Sequence, residues 1–345
     1  MEDRVADDET GKAPAVVRHD VWWAGVMSRS HIPYGVAWLR ELLRREPGEV
    51  ALHMFPSRSF HTSEEISTSL VAAELDDPRI TVDRWDGTKA PRSSNYWLLS
   101  TGAVGIKPWL RLTAKHPFKR LTVVVTDEGI GTYGNWKSRH DATLRQGGND
   151  PQAALRTTAV EGATALLTHI RWPLHVQTSP GRWALNKPVA DEFRRIAPAP
   201  DRSSDRVVFL TQPWPEVGVL SEVRYAAHVE YVARAVKTAG LEFVVAPHPG
   251  EPAGRYARYK TTSTTVLAEC NPLVLGARAI VGASSTAMLN VAAIHGVPAL
   301  RVGTPELSRL DYEMAPNQQS LLGQYAAPSV TVAELGRRLS QGFGR

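Results

Sequence analysis

Three short stretches of the chain hold side chains that could do chemistry. The first is Leu121-Thr-Val-Val-Val-Thr-Asp-Glu-Gly-Ile-Gly-Thr-Tyr-Gly134, where β-branched Val123 to Val125 run into adjacent carboxylates, Asp127 and Glu128, and glycines follow at 129, 131 and 134. A carboxylate at the end of a buried strand, beside a loop that lets a ligand approach, has the placement of a general base. A solvated acidic turn would read the same way. The second is His248, held between Pro247 and Pro249. Proline fixes φ, so the imidazole direction is set in advance, and such a histidine can donate to a phosphate oxygen or protonate a leaving group. An ordinary turn histidine satisfies the same sequence. The third is Ser284-Ser285-Thr286, between a strand and a helix. Hydroxyls and unpaired N–H groups at a helix N-terminus attract anions, whereas simple capping needs only one hydroxyl. Thr211 and Gln212 end a further strand on the same expected sheet edge, and Trp214 could add an apolar wall.

The elements that must position these residues read as alternating strands and helices, the pattern of a parallel α/β sheet. A first strand falls within 13–25, followed by a helix carrying Trp38, Leu39, Leu42 and Leu43. Strands are expected at Glu49–Phe55 and Arg79–Trp85, and Thr62-Ser-Glu-Glu65 resembles a capping box. Tyr96 to Lys115 reads as helical, broken near Pro108, before the Asp127 strand. Asp150 is expected to cap a helix with Pro151 in its first turn, and Ala165–Ile170 and Leu174–Val176 look strand-like. The pattern restarts with a strand at Val207–Leu210 and a helix over 221–239, stopped by Gly240. Further strands are expected at Phe243–Ala246, Thr264–Glu269, Arg278–Gly282 and finally Pro298–Val302, with Ala287–His295 a helix stopped by Gly296.

At 345 residues, 43% hydrophobic and 22% charged, the chain is expected to form two domains. Residues 1–12 read as a disordered acidic tail rather than a secretory signal. A Rossmann-like domain bearing the base and the acceptor spans 13–196. The Pro/Ser/Asp-rich segment 197–206 is a linker, and 207–345 forms a second Rossmann-like, nucleotide-binding domain. The single cysteine, Cys270, excludes an intrachain disulfide and a cysteine metal cluster. No metal-ligand spacing is visible, so no metal is expected. The lone cysteine fits a cytoplasmic location, and no run approaches the roughly 18 apolar residues of a membrane span, so no integral membrane contact is expected. The net charge of +5 favours anionic partners modestly, such as a phosphorylated substrate or an acidic acceptor. No basic run or zinc-finger pattern points to nucleic acid.

Together these residues resemble a known group. Asp127-Glu128-Gly129 is similar to the paired-acid-glycine motif of bacterial sialyltransferases and polysialyltransferases, His248-Pro249 to their His-Pro motif, and Ser284-Ser285 to their paired serines. Phe209-Leu-Thr-Gln-Pro213 resembles the first strand of their nucleotide domain. The resemblance implies a GT-B fold, two Rossmann-like domains with parallel sheets facing a central cleft. It implies inverting, metal-independent transfer of a sialic-acid-like sugar from a CMP-activated donor to the hydroxyl of a small molecule or glycan. The donor is a substrate, and no cofactor is implied. On this resemblance Asp127 takes the acceptor proton, with Glu128 and Gly129 supporting it. His248 with Pro249, and Ser284 and Ser285, would hold the departing phosphate. Thr211, Gln212 and Thr286 join that donor site on the residue reading alone. Two features depart from the group. The first half is rich in tryptophan, some of which could line an acceptor site, and no amphipathic basic helix of the membrane-tethering kind is apparent. Two other readings share the residues: a GT-B transferase or epimerase using a UDP- or GDP-sugar, with Glu306 or Asp311 on the ribose, and a non-catalytic nucleotide-binding protein.

Overall fold

The computed structural model describes residues 17–56, 66–93, 95–145, 149–199 and 205–341. The expected tail, the capping box at Thr62–Glu65 and the centre of the 197–206 linker lie outside the described residues.

Two six-stranded parallel sheets carry the chain. In the first half the strands are β1 (Arg18–Ala24), β2 (Glu49–Met54), β3 (Ile80–Arg84), β4 (Asn95–Thr101), β5 (Arg120–Thr126) and β6 (Ile170–Trp172). A hairpin of β7 (His175–Ser179) and β8 (Arg182–Leu185) follows. The second half has β9 (Arg206–Leu210), β10 (Glu242–Ala246), β11 (Lys260–Thr261), β12 (Ala279–Gly282), β13 (Ala299–Val302) and β14 (Ala327–Val330). The orders are β3-β2-β1-β4-β5-β6 and β11-β10-β9-β12-β13-β14. Both are the doubly wound 3-2-1-4-5-6 order, whose ligands lie beyond the carboxyl ends of the strands where the order reverses. In the second sheet that switch point falls between β9 and β12, the strands leading into Thr211 and Ser284.

Buried β-branched runs explain why the sheets form. Val123, Val124 and Val125 of β5 are covered on both faces, as are Val207 and Val208 of β9 and Val244 and Val245 of β10. Tryptophan fills much of the first core: Trp22, Trp23, Trp38, Trp85 and Trp172 are buried. The two halves also share a core, because Cys270 and Ile294 pack among first-half residues such as Tyr34 and Phe193.

The structure corrects the expected elements at several places. Tyr96–Thr101 is not helix but β4, paired between β1 and β5. The helix begins only at Ile106, so Pro108 stands in its first turn, where the missing N–H costs nothing. The helix from Asp150 continues to Leu167, taking in the first part of the expected strand at 165–170, so that β6 starts only at Ile170; its cap is Asn149, whose side chain accepts from the Gln152 amide. The 264–269 segment is loop and a short 3-10 turn, with the nearby strand at Lys260–Thr261. The sheet closes with β14, not β13. The helix Glu222–Thr238 and its apolar face of Tyr225, Val229, Val232 and Val236 agree with the periodicity.

Candidate active site

The residues singled out by type end four parallel strands: Asp127 follows β5, Thr211 follows β9, His248 follows β10 and Ser284 follows β12. The two sheets oppose these ends, and one loop joins them directly. Ile130 donates its amide to the Thr286 hydroxyl at 3.0 Å, and Gln318 donates to the Ile130 carbonyl at 3.1 Å. The Asp127 loop is thus held by the N-terminal turns of two second-half helices, Thr286–His295 and Pro316–Tyr325. Gly129 makes the approach possible. Its φ is +133°, and a Cβ there would come within 2.5 Å of the Thr286 hydroxyl.

Asp127 is 2% exposed. Its Oδ2 accepts from the Tyr133 hydroxyl and, at 2.7 Å, from the Leu174 amide. Oδ1 has no hydrogen-bond partner among the described residues, and the side chain lines a cavity of about 210 Å³ with Tyr133, Arg171, His175 and Gln177. Burial pushes the Asp127 carboxyl up to about 7, opposed by the hydrogen bonds from Tyr133 and Leu174. The neighbouring Glu128 charge acts in the same direction as burial but is the smallest of the named contributions. Strand alternation carries through the pair. Glu128 turns outward, keeps accessible surface, and lays its carboxylate against Gly102, where a Cβ would meet Oε2 at 2.3 Å.

On the opposite side, His248 is half-buried in a braced turn. Its amide donates to the Thr211 hydroxyl at 2.8 Å and to Glu251 at 2.9 Å, and its Nδ1 accepts from the Gly250 amide at 3.1 Å. The Nδ1 contact places the proton of a neutral ring on Nε2. Glu251 also accepts from Thr211 and, at 2.6 Å, from Tyr256, so Thr211 serves the turn rather than presenting its hydroxyl to the cleft. Gln212 accepts from the Ser284 amide at 3.3 Å, tying the ends of β9 and β12 together.

The three hydroxyls at 284–286 divide their work. Ser285 is the N-cap and accepts from the Met288 amide at 3.1 Å. Thr286 holds the Asp127 loop. Ser284 is 7% exposed and its hydroxyl makes no hydrogen bond among the described residues. Glu306 and Asp311, the alternative ribose ligands, are paired with Arg224 and Arg301.

Several residues at the site carry no local sequence signal. His175 is buried among Tyr133 and Tyr325, and burial pushes its imidazole down to about 4. Asn290 lies alongside that ring without meeting hydrogen-bond geometry. Asn290 instead donates to Tyr34 at 3.0 Å and Glu269 at 3.1 Å, joining the halves behind the cavity. Tyr133, six residues past Asp127 inside the glycine loop, was also passed over, although its position beside the acid pair is a local signal.

Comparison with protein families and with curated proteins gives no match. Solved structures resemble the chain over nearly its whole length. A putative UDP-N-acetylglucosamine 2-epimerase from Listeria monocytogenes is 10% identical with TM-score 0.53, covering 95% of this chain and 92% of that one. The E. coli heptosyltransferase WaaC with ADP is 15% identical with TM-score 0.37, covering 91% and 92%. The glycosyltransferase SnogD from Streptomyces nogalater is 12% identical with TM-score 0.43, covering 94% of each. This is a GT-B fold. GT-B architecture accounts for two doubly wound sheets meeting strand end to strand end, with the four marked loops in the cleft. Nothing in these likenesses is specific to sialyltransferases.

Proposed function

We propose that the chain is a glycosyltransferase that draws on a nucleotide-activated sugar, with Asp127 as general base. The observation that carries this reading is the contact of Ile130 with Thr286. It sets a buried carboxylate with one unoccupied oxygen against a turn suited to phosphate. The acceptor hydroxyl attacks the anomeric carbon, the new glycosidic C–O bond forms as the bond to the nucleotide phosphate breaks, and the hydroxyl proton passes to Asp127 Oδ1. A base with a pKa near working pH suits this step. His248 Nε2, the Ser284 hydroxyl and the amides opening the helix at Thr286 receive the departing phosphate. No metal is required in this scheme, and among the described residues no group of three His, Cys, Asp or Glu side chains is placed to hold one.

For the donor, a UDP- or other nucleoside-diphosphate sugar takes precedence over a CMP-sugar. The whole-chain likeness to a UDP-sugar enzyme supports the former, whereas the CMP reading rests on a few short motifs. The same likeness supports a second reading, epimerisation of a UDP-sugar, in which the carboxylates at 127 and 128 would move a proton on the sugar itself. Thermal-shift titration with CMP, UMP, UDP, GDP and ADP, followed by incubation of the matching sugar nucleotide with and without a panel of acceptor alcohols, separates these. Free nucleotide released only with acceptor supports transfer. An isomerised sugar nucleotide without acceptor supports the epimerase, and no response to any nucleotide would sink both.

A further inference from the structure

The 40-residue stretch 87–126 contains seven Lys and Arg and no Asp or Glu, more positive charge than the +5 of the whole chain. The structure gathers part of it on one surface. The helix Ile106–Lys115 buries Leu112 against the sheet and turns Lys107, Leu110, Arg111, Ala114 and Lys115 outward, spaced i, i+3, i+4, i+7 and i+8. Leu110 is 51% exposed and Phe118, just past the helix end, is 100% exposed. Lys107 and Arg111 make no ion pair among the described residues, while Lys115 and Lys119 lie along the protein and donate to backbone carbonyls at Gly87, Pro91 and Ser93. Reading 96–115 as one broken helix hides this face, because the true helix starts ten residues later.

We propose that this face docks on an anionic lipid bilayer. An exposed leucine interleaved with cations on one helical face, followed just past the helix end by a fully exposed phenylalanine, matches a headgroup region, where Leu110 and Phe118 enter the acyl boundary and the cations meet lipid phosphates. A symmetric contact with a second copy would set these cations against themselves. A polyanion without an apolar layer would leave the Leu110 side chain unused. No helix of the described residues is long and apolar enough to cross a membrane, so the contact is peripheral. The helix starts four residues after Gly102, on which Glu128 rests, so the docking face begins beside the cleft.

The test is co-sedimentation of the full chain with phosphatidylcholine vesicles containing or lacking phosphatidylglycerol, at low and high salt. Binding is expected only with the anionic vesicles and is expected to weaken with salt. The pairs Leu110→Ser/Phe118→Ser and Lys107→Gln/Arg111→Gln, which alter only exposed side chains, should each reduce the partition coefficient by about tenfold with unchanged circular dichroism. Absence of binding to anionic vesicles at low salt overturns the proposal, as does binding that neither pair reduces. Self-association in light scattering that these pairs abolish, without vesicle binding, assigns the face to a second copy and also overturns it. Retention on single-stranded RNA without vesicle binding does the same.

Discussion

Tyr133 donates its phenolic hydrogen to the same oxygen of Asp127 that the Leu174 amide holds at 2.7 Å. One face of the carboxylate is therefore occupied by the protein, and the other is left for a ligand. Because Tyr133 Oη also accepts from the His175 amide at 2.9 Å, the tyrosine cannot swing away without leaving a buried donor unpaired. The carboxylate is aimed by one side chain, Tyr133, and by the adjacent backbone amides of Leu174 and His175.

The first prediction follows from that aim. Asp127→Asn should retain the fold and nucleotide affinity and lose roughly 10²–10⁴-fold in kcat, the usual worth of a positioned base. Glu128→Gln, on the outward side, should lose far less. Steady-state rates with both variants decide it, and near-wild-type turnover in Asp127→Asn would remove the proposed mechanism.

The pH dependence has a definite sign. A base must be ionised to act, so kcat/KM should rise with pH through the Asp127 value of about 7. Tyr133→Phe removes a hydrogen bond that favours the ionised form and should move that midpoint upward. Stability runs the other way. A carboxyl raised from 3.8 to about 7 by folding favours the protonated native state, a contribution present at acid pH and lost as pH rises through 7. Asp127→Asn should therefore gain more in Tm over wild type at about pH 8 than at about pH 4. An equal difference at both would contradict the burial argument.

The serines separate by role. Ser285→Ala removes a helix cap and should lower stability by about 1 kcal/mol. Ser284→Ala should leave Tm unchanged and weaken nucleotide binding by about 1–3 kcal/mol, the range for hydrogen bonds to a charged group. Calorimetric titration beside thermal melts tests the pair, and the reverse assignment would move the phosphate site elsewhere.

Gly129→Ala places a methyl 2.5 Å from the Thr286 hydroxyl at a φ of +133°, so it should depress turnover strongly. Thr286→Val keeps the volume and loses only the bond to Ile130, and a milder loss of kcat is expected. Turnover in Gly129→Ala matching wild type would show that the contact is dispensable.

Much of the fold was legible where composition and turn chemistry agreed. Val123–Val125 before two acids, and Ser221 before a helical stripe ending at Gly240, each read as the element they form. Tyr96-Trp-Leu-Leu99 did not, because a strand covered on both faces has no alternation and matches a buried helix in a short window. The site was legible as strand-end residues, since parallel topology itself brings such ends together. The parts played by Thr286 and Gln318 on Ile130, and by Asn290 on Tyr34, depend on contacts spanning more than a hundred residues. No local pattern records those.

Ile130 is gripped at both its amide and its carbonyl by the second half of the chain. Any motion that parts the two sheets must break both grips, so an opened cleft is one in which the stretch carrying the base has come loose. On the proposed reading, an activated sugar that arrives before closure meets no organised proton acceptor, and a stray water molecule entering with it is not activated. The clasp would then tie an organised base to a closed cleft, and Thr286→Val, which gives up one grip, should release free nucleotide more slowly than wild type when no acceptor is present.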